Sequence, residues 1–288
     1  MKKTFLIFPS LLFLLGCILI YQNIIYNDKK LHVVICDVGQ GDAIFIRTPQ
    51  GSDILIDSGP DDSVLSCLAK HMPFWDKTIE IVILTHPDAD HVTGFIDVIK
   101  RYKLTSFYTS KITTKTAVYA EFLKTLRDYK IKQNFLWLGD KFTMEDSLTM
   151  ESLWPPHEWA EKTVVTGGTT NSFSVIELLT YKNFKILFTG DSNFEQMNQV
   201  SHLAAYINFL KVPHHGSRFG LTSEILDILN PKVAAISVGK NNKYGHPAPE
   251  MLKIFSEKDI KILRTDQDGE VEVVSDGKDF QIRSKNLK

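Results

Sequence analysis

The sequence predicts a layered α/β domain with sheet in its middle, preceded by one apolar segment long enough to cross a bilayer. Three observations carry this. From Leu31 onward, short apolar runs punctuated by glycine alternate with helix-like stretches. No Pro- or Ser-rich linker divides the region from Leu31 to the C-terminus. Ahead of it, Phe5 to Ile20 is a nearly unbroken apolar run, extended by Tyr21, Ile24, Ile25 and Tyr26. The chain therefore divides into a signal-anchor segment with a short linker, 1–30, and one domain, 31–288.

The apolar segment has no polar face, which disfavours a helix of a soluble core. Lys2 and Lys3 precede it, and no small-x-small cleavage site follows, so an uncleaved anchor is expected, or a secreted protein if the segment is cut. Leu14-Leu15-Gly16-Cys17 weakly resembles a lipoprotein site, but the bulky Leu15 and the apolar continuation past Cys17 speak against it. Such a short N-terminal flank favours the N-terminus inside and the domain outside the cytoplasm.

Leu31–Cys36, Ala43–Arg47 and Asp53–Ile56 read as strands, separated by Gly39, Gly41 and Gly51. Ser63–His71 reads as a helix, Ile79–Leu84 as a fully apolar strand, and Thr93–Tyr102 and Ala117–Tyr129 as helices. Trp154–Thr170, with Pro155, Pro156, Gly167 and Gly168, reads as a loop bordering a site. Strands are expected at 174–179, 184–188, 209–212 and 233–237, and helices near 194–205, 224–229 and 249–257. The end, 261–264 and 270–274, returns to strand.

The chain is 43% hydrophobic and 23% charged, which excludes disorder and repeat arrays. A net charge of -1 argues against a globally basic nucleic-acid binder while leaving a local basic groove open. Three cysteines make no disulfide framework. Cys36 is expected to be a small buried hydrophobe and Cys67 to have no partner.

Chemistry concentrates in Thr85-His86-Pro87-Asp88-Ala89-Asp90-His91, where an apolar strand runs into two histidines and two aspartates. Pro87 stops regular structure, and a turn at a strand end can aim several side chains at one point. Imidazole and carboxylate groups are ligands for zinc, manganese or iron, and adjacent carboxylates repel without a cation between them. Taken alone, Asp191 also fits a cap for the helix near Phe194, and His246 an ordinary loop histidine. His214 and His215 likewise fit one packed and one solvated ring.

Further motifs follow in order: Asp37-Val38-Gly39-Gln40-Gly41-Asp42-Ala43, Leu55-Ile56-Asp57-Ser58-Gly59, Phe188-Thr189-Gly190-Asp191, Leu210-Lys211-Val212-Pro213-His214-His215-Gly216-Ser217 and Tyr244-Gly245-His246-Pro247. Together with the His86–His91 segment they resemble the metallo-β-lactamase superfamily, in its branch of ComEC-like competence-protein hydrolase domains. The resemblance covers nearly everything from Leu31 to about Val274. Asp88 stands where the common form has a histidine.

The resemblance implies an αββα sandwich with a site for two divalent metal ions at one edge of the two sheets. His86 and Asp88 would bind one ion and Asp90 and His91 the other. Asp191 would bridge both, and His246 would complete the second position. Asp57 would orient the ligand loops through hydrogen bonds, and Asp37 and Asp42 would brace turns. Asn171 stands where many members carry another histidine. This leaves the first position poor in nitrogen and makes Mn2+ a candidate beside Zn2+.

His214 and His215 are expected near the leaving group or the phosphate oxygens, as proton or hydrogen-bond donors. Ser217 lacks the context of a nucleophile and is grouped with Asn241 as substrate-binding. The implied activity is an extracytoplasmic phosphodiesterase or nuclease in which metal-bound hydroxide, oriented by Asp90, attacks a phosphate ester, DNA among the candidates. The alternatives are a lactone, thioester or amide hydrolase on the same fold, and a non-catalytic accessory protein of DNA uptake or the cell envelope.

Overall fold

A computed structural model describes residues 4–144, 147–163 and 170–287. Along the chain the elements are α1 (Thr4–Tyr26), β1 (Leu31–Ile35), β2 (Ile44–Arg47), β3 (Asp53–Ile56), α2 (Val64–His71), β4 (Thr78–Leu84), α3 (Ala89–Val92) and α4 (Phe95–Arg101). There follow β5 (Lys103–Thr109), α5 (Ala117–Asp128), β6 (Gln133–Phe135), β7 (Lys141–Thr143), β8 (Leu148–Trp154), α6 (His157–Lys162), β9 (Ile176–Tyr181) and β10 (Phe184–Phe188). The last are α7 (Phe194–Val200), β11 (Phe209–Lys211), α8 (Ser223–Leu229), β12 (Val233–Ile236), α9 (Pro249–Glu257), β13 (Lys261–Arg264), α10 (Thr265–Asp268), β14 (Val271–Ser275) and β15 (Phe280–Arg283).

Two mixed sheets form, in the orders β15-β14-β1-β2-β3-β4-β5-β6 and β13-β12-β11-β10-β9-β8-β7. They stack face to face through an apolar core that includes Ile46, Ile54, Ile83, Leu179, Ile186 and Phe188. Every residue of β2 and β3 is buried, because the opposite face of the first sheet is also covered. There Phe45, Leu55, Val82, Leu84 and Phe107 pack with Val98, Phe122 and Leu126 of the helical layer. On the second sheet Leu187, Leu210 and Ile236 pack under Met197, Leu226 and Phe255. Helix, sheet, sheet, helix is the four-layer αββα order expected. A strand buried on both faces cannot alternate polar and apolar residues, which is why these runs are continuously hydrophobic.

The parallel neighbours β3-β4-β5 and β10-β11-β12 end at one edge of the sandwich. Their outgoing loops carry Asp57, His86–His91, Asp191 and His214–His215, so the topology gathers residues far apart in sequence.

Several expectations need correction. Cys36 and Cys67 form a disulfide, with Cα atoms 5.9 Å apart, linking the end of β1 to α2. No sequence spacing announces this pair, because the contact exists only once α2 has folded back over the sheet. The expected helix 93–102 is α4, which starts only after Gly94, with the short α3 ahead of it; Gly94 packs so closely that an added Cβ would stand 2.1 Å from the Ser58 carbonyl oxygen. The expected loop 154–170 contains α6, while Gly167 and Gly168 lie outside the described residues, as do Lys2 and Lys3. The strands β5 to β8 and β15 were not anticipated; β6, β7 and β15 are short strands at sheet edges, whereas β5 and β8 are seven-residue inner strands.

Helix α1 contains an 18-residue apolar window, Pro9–Tyr26, none of it buried against the rest of the protein.

Candidate metal centre

Asp57 closes β3 with a left-handed backbone, φ 57°. Its Oδ1 accepts the Thr85 amide at 2.8 Å, and its Oδ2 accepts the Thr85 hydroxyl at 2.7 Å and His91 Nδ1 at 2.8 Å. With its proton given to Asp57, the Thr85 hydroxyl can only accept from His86 Nδ1, 3.0 Å away. His215 Nδ1 donates to the Ser237 carbonyl at 2.9 Å. All three rings thus bond a neighbour through Nδ1 and turn Nε2 toward the centre as the ligand nitrogen.

These Nε2 atoms lie in one buried region. His86, His91 and His215 are almost fully buried, and the ring centroids of His86 and His91 lie 4.2 Å apart, those of His91 and His215 5.5 Å. His91 Nε2 lies 3.3 Å from Asp191 Oδ1, and His215 Nε2 lies 3.4 Å from Asp191 Oδ2 and 3.3 Å from Asp90 Oδ2. His86 Nε2 lies 3.7 Å from Asp88 Oδ2. Yet His86 Nε2, His91 Nε2, His215 Nε2 and Asp191 Oδ1 make no hydrogen bond, although all four atoms are buried. Buried polar atoms left unpaired cost about 1–3 kcal/mol each. Divalent cations would satisfy these atoms, and these imidazole and carboxylate donors suit them. Atoms of Asp90, His91, Asp191 and His215 lie within 4.8 Å of one another, the spacing of a ligand cluster.

Electrostatics agree. Burial alone would raise the Asp191 carboxyl, but the His215 and His91 imidazoles hold it well below the usual carboxylate range. Burial would lower His91 and His215, but Asp191, with Asp57 beside the first and Asp42 beside the second, holds both well above the ordinary histidine value. A bound cation displaces those protons, so binding is coupled to proton release. His214 and His246 shift the other way, lowered by burial and by neighbouring histidines.

The structure thus places His215, not His246, against Asp90, His91 and Asp191. His246 stands further out, its ring 5.7 Å from that of His214. Asn171 reaches His214 with its amide nitrogen 3.3 Å from Nε2. Asp191 is not a helix cap. Asn193 takes that position, its amide bonded by Gln196 Oε1 at 3.1 Å, which leaves the Asp191 side chain for the site. Asp42 is buried against Lys211 and 3.5 Å from His215 Nδ1, whereas Asp37 is exposed and lines a separate cavity with Lys70, His71 and Glu270. Ser217 is buried, its hydroxyl accepting the Phe219 amide at 3.3 Å. Asn241 is an exposed turn residue with φ 56°. Its neighbour Asn242 is the one that clasps the His246 backbone, donating to its carbonyl at 2.6 Å and accepting its amide at 3.0 Å. Asn242, Lys243 and Tyr244 line a cavity of about 400 Å³ with Asp90.

Two close approaches shape the centre. His214, His215 and Gly216 have successive positive φ values of 50°, 52° and 81°, a strained turn of the sort that persists where surrounding structure enforces it. A Cβ at Gly216 would fall 2.6 Å from Pro247 Cβ. At Gly41 it would fall 2.2 Å from the Asp90 carbonyl oxygen, whose partner is the Asp42 amide at 3.2 Å.

Sequence reading missed Lys211, Thr85 and Ser237. Lys211 had a visible signal: a lysine inside the apolar run Phe209–Val212 demands a buried partner, which is Asp42. Thr85 and Ser237 act through short-range geometry that no pattern reveals.

A profile of the Metallo-beta-lactamase superfamily matches residues 36–240. ComE operon protein 3 of Bacillus subtilis (strain 168) is 28% identical over 277 residues, covering 89% of this chain and 35% of that protein. Recombination protein 2 of Haemophilus influenzae is 27% identical over 241 residues, covering 82% and 28%. The chain therefore spans about a third of the length of these relatives. Among solved structures, the metallo-beta-lactamase fold protein YhfI from Bacillus subtilis superposes with a TM-score of 0.54 at 14% identity, covering 82% of this chain and 96% of that one. With its αββα layers, its edge cluster of histidines and aspartates and the profile match over most of its length, this chain belongs to the metallo-beta-lactamase superfamily of metal-dependent hydrolases and is related to competence proteins.

Proposed function

We propose that this protein is an extracytoplasmic, membrane-anchored hydrolase of phosphodiesters, its hydrolase domain running from about residue 31 to the C-terminus. The observation that carries the chemistry is that buried, unpaired His91 Nε2, His215 Nε2 and Asp191 Oδ1 share one cluster with Asp90, with the unpaired His86 Nε2 on the ring beside His91. His86 and Asp88 would hold one divalent cation, Asp90, His91 and His215 a second, with Asp191 between them. Zn2+ and Mn2+ both suit these donors. Cations so bound supply Lewis acidity and bring the pKa of water toward about 7.

The chain's own residues do the rest. Asp57, Thr85 and Ser237 fix the ring tautomers, so no reorganisation accompanies reaction. His214 and His246, both held toward the neutral form, stand on the open side, where one can receive or donate a proton at the ester oxygens. Lys243 borders the cavity beside Asp90 and suits a phosphate charge. The name of one relative, Recombination protein 2, supports DNA or another phosphodiester as substrate. The Cys36–Cys67 disulfide supports an oxidising compartment outside the cytoplasm, and the apolar window of α1 supports the anchor.

The test is hydrolysis by the detergent-solubilised full chain, supplied with Mn2+ or Zn2+, of an aryl phosphodiester, single-stranded DNA and a lactone. Hydrolysis of a phosphodiester, abolished by Asp191→Ala together with metal binding, is expected. Activity on the lactone alone, or stoichiometric metal with no hydrolysis, overturns the reading.

A further inference from the structure

The end of α1 is docked on the sandwich rather than hanging from it. The Tyr26 hydroxyl donates to the Lys70 carbonyl at 2.9 Å, and Arg47 Nε donates to the Tyr26 carbonyl at 3.3 Å. Arg47 is itself fixed by Asp53 at 2.7 Å and lies 3.6 Å from Asp76. A third tie lies higher on the helix: the Phe74 amide donates to Gln22 Oε1 at 3.4 Å. Gln22 precedes Tyr26 by four residues, about 6 Å along a helix axis. The loop between α2 and β4 thus stands beside the last turn of the apolar window, level with Ile24 and Ile25.

That loop carries Phe74 and Trp75, 52% and 46% exposed, with ring centroids 5.0 Å apart. Two large aromatics beside an unburied apolar helix have nowhere to hide from water within the chain. Exposed lysines Lys29, Lys30 and Lys77 flank the same junction along the chain; its acids Asp28 and Asp76 lie against His32 and Arg47, and Lys70 is paired with Glu270. Aromatic rings with adjacent lysines suit the headgroup zone of an anionic bilayer, where rings sit about 5–10 Å deep.

We propose that the Phe74–Trp75 loop is a second membrane contact, entering the lipid headgroup zone beside α1 and holding the sandwich upright, with its metal-binding edge turned to the aqueous side. The direction follows from the sheet. β4 begins at Thr78, next to the loop, and after seven residues delivers Thr85 and His86 to the site. At about 3.3 Å per residue the strand places the metal centre roughly 20 Å from the membrane side. β1 and β3 likewise start near the anchor, at Leu31 and Asp53; β1 runs to the loop that carries Asp42, and β3 to Asp57. Such a site meets substrates arriving from solution, not the phosphates of the lipids that hold the protein. This inference rests on α1 lying in a membrane.

The experiment uses the full chain in phosphatidylethanolamine–phosphatidylglycerol vesicles whose acyl chains carry bromine, a quencher of indole emission. Wild type is compared with Trp75→Phe, so that Trp137, Trp154 and Trp159 cancel in the difference. The Trp75 emission is expected to lose most of its intensity in brominated vesicles relative to unbrominated ones. If the chain floats with the vesicles but this emission is unquenched, the anchor stands and the loop contact falls. A blue-shifted but unquenched emission would mean that protein, a second copy or another partner, covers Trp75, and also overturns the proposal. If the chain does not float with the vesicles, both readings fall.

Discussion

One oxygen of Asp57, Oδ2, accepts hydrogen bonds from both His91 Nδ1 and the Thr85 hydroxyl, at 2.8 and 2.7 Å. A single buried carboxylate thereby orients His91 directly and His86 through Thr85. Asp57→Asn keeps the side-chain shape and tolerates the left-handed backbone. It loses one acceptor oxygen, so metal affinity is expected to fall about 10–100-fold with the fold retained. Calorimetric titration with Zn2+ or Mn2+, beside circular dichroism, checks this. Unchanged affinity would deny Asp57 its orienting role.

Lys211 and Asp42 form an ion pair sealed from solvent behind His215. Burial raises the Asp42 carboxyl, and the Lys211 and His215 charges more than offset it, lowering it overall. Lys211→Met strands a buried carboxylate and is expected to cost about 3–5 kcal/mol. The double variant Lys211→Met with Asp42→Asn, which buries no lone charge, should recover part of that loss. Denaturant unfolding of these two variants, of Asp42→Asn alone and of the wild type measures the coupling.

Glu177 is fully buried, with its carboxyl pushed up to about 8 by burial, against the partial relief of a bond from the Ser152 hydroxyl. The unfolded side chain ionises near pH 4.5. Between those values the folded state keeps a proton the unfolded state has lost. Stability contributed by this site is therefore complete below pH 4.5 and falls as pH rises toward 8, at a limiting slope of about 1.4 kcal/mol per unit. Glu177→Gln retains the Oε1 acceptor and should flatten that segment of the stability–pH curve, leaving the variant the more stable protein at pH 8. Melting temperatures across this range decide it.

The Cys36–Cys67 bridge closes a loop with a sequence separation of 31. Chain entropy assigns such a loop about 3–4 kcal/mol. Cys36→Ala with Cys67→Ala should lose stability of that order while leaving metal content unchanged, since neither sulfur lies in the centre. Wild-type chain exported to an oxidising compartment should show one titratable thiol, Cys17, after denaturation. Three would refute the pairing.

The sheet-and-helix order was legible because each buried strand must be apolar on both faces, and the runs at Leu31, Ile44, Ile79, Phe184 and Val233 leave no other reading. Edge strands such as β7 and β15 were not, since a half-exposed strand of three or four residues has no run long enough to stand out. The His86–His91 turn declared its chemistry outright: four possible ligands in six residues, at the end of an apolar strand, are hard to explain otherwise.

The amino-acid order by itself determined the α/β class, the apolar helix at the start and the residue types available to a cation. It could not rank His215 against His246, separate Asp42 from Asp37, pair Cys36 with Cys67 or give Lys211 a partner. Those outcomes depend on which loops the two stacked sheets bring to the same edge and on which ring nitrogen a neighbouring carbonyl or carboxylate occupies. Such choices are made across distances of 3–4 Å between residues up to 173 positions apart, as for Asp42 and His215, and local sequence holds no record of them.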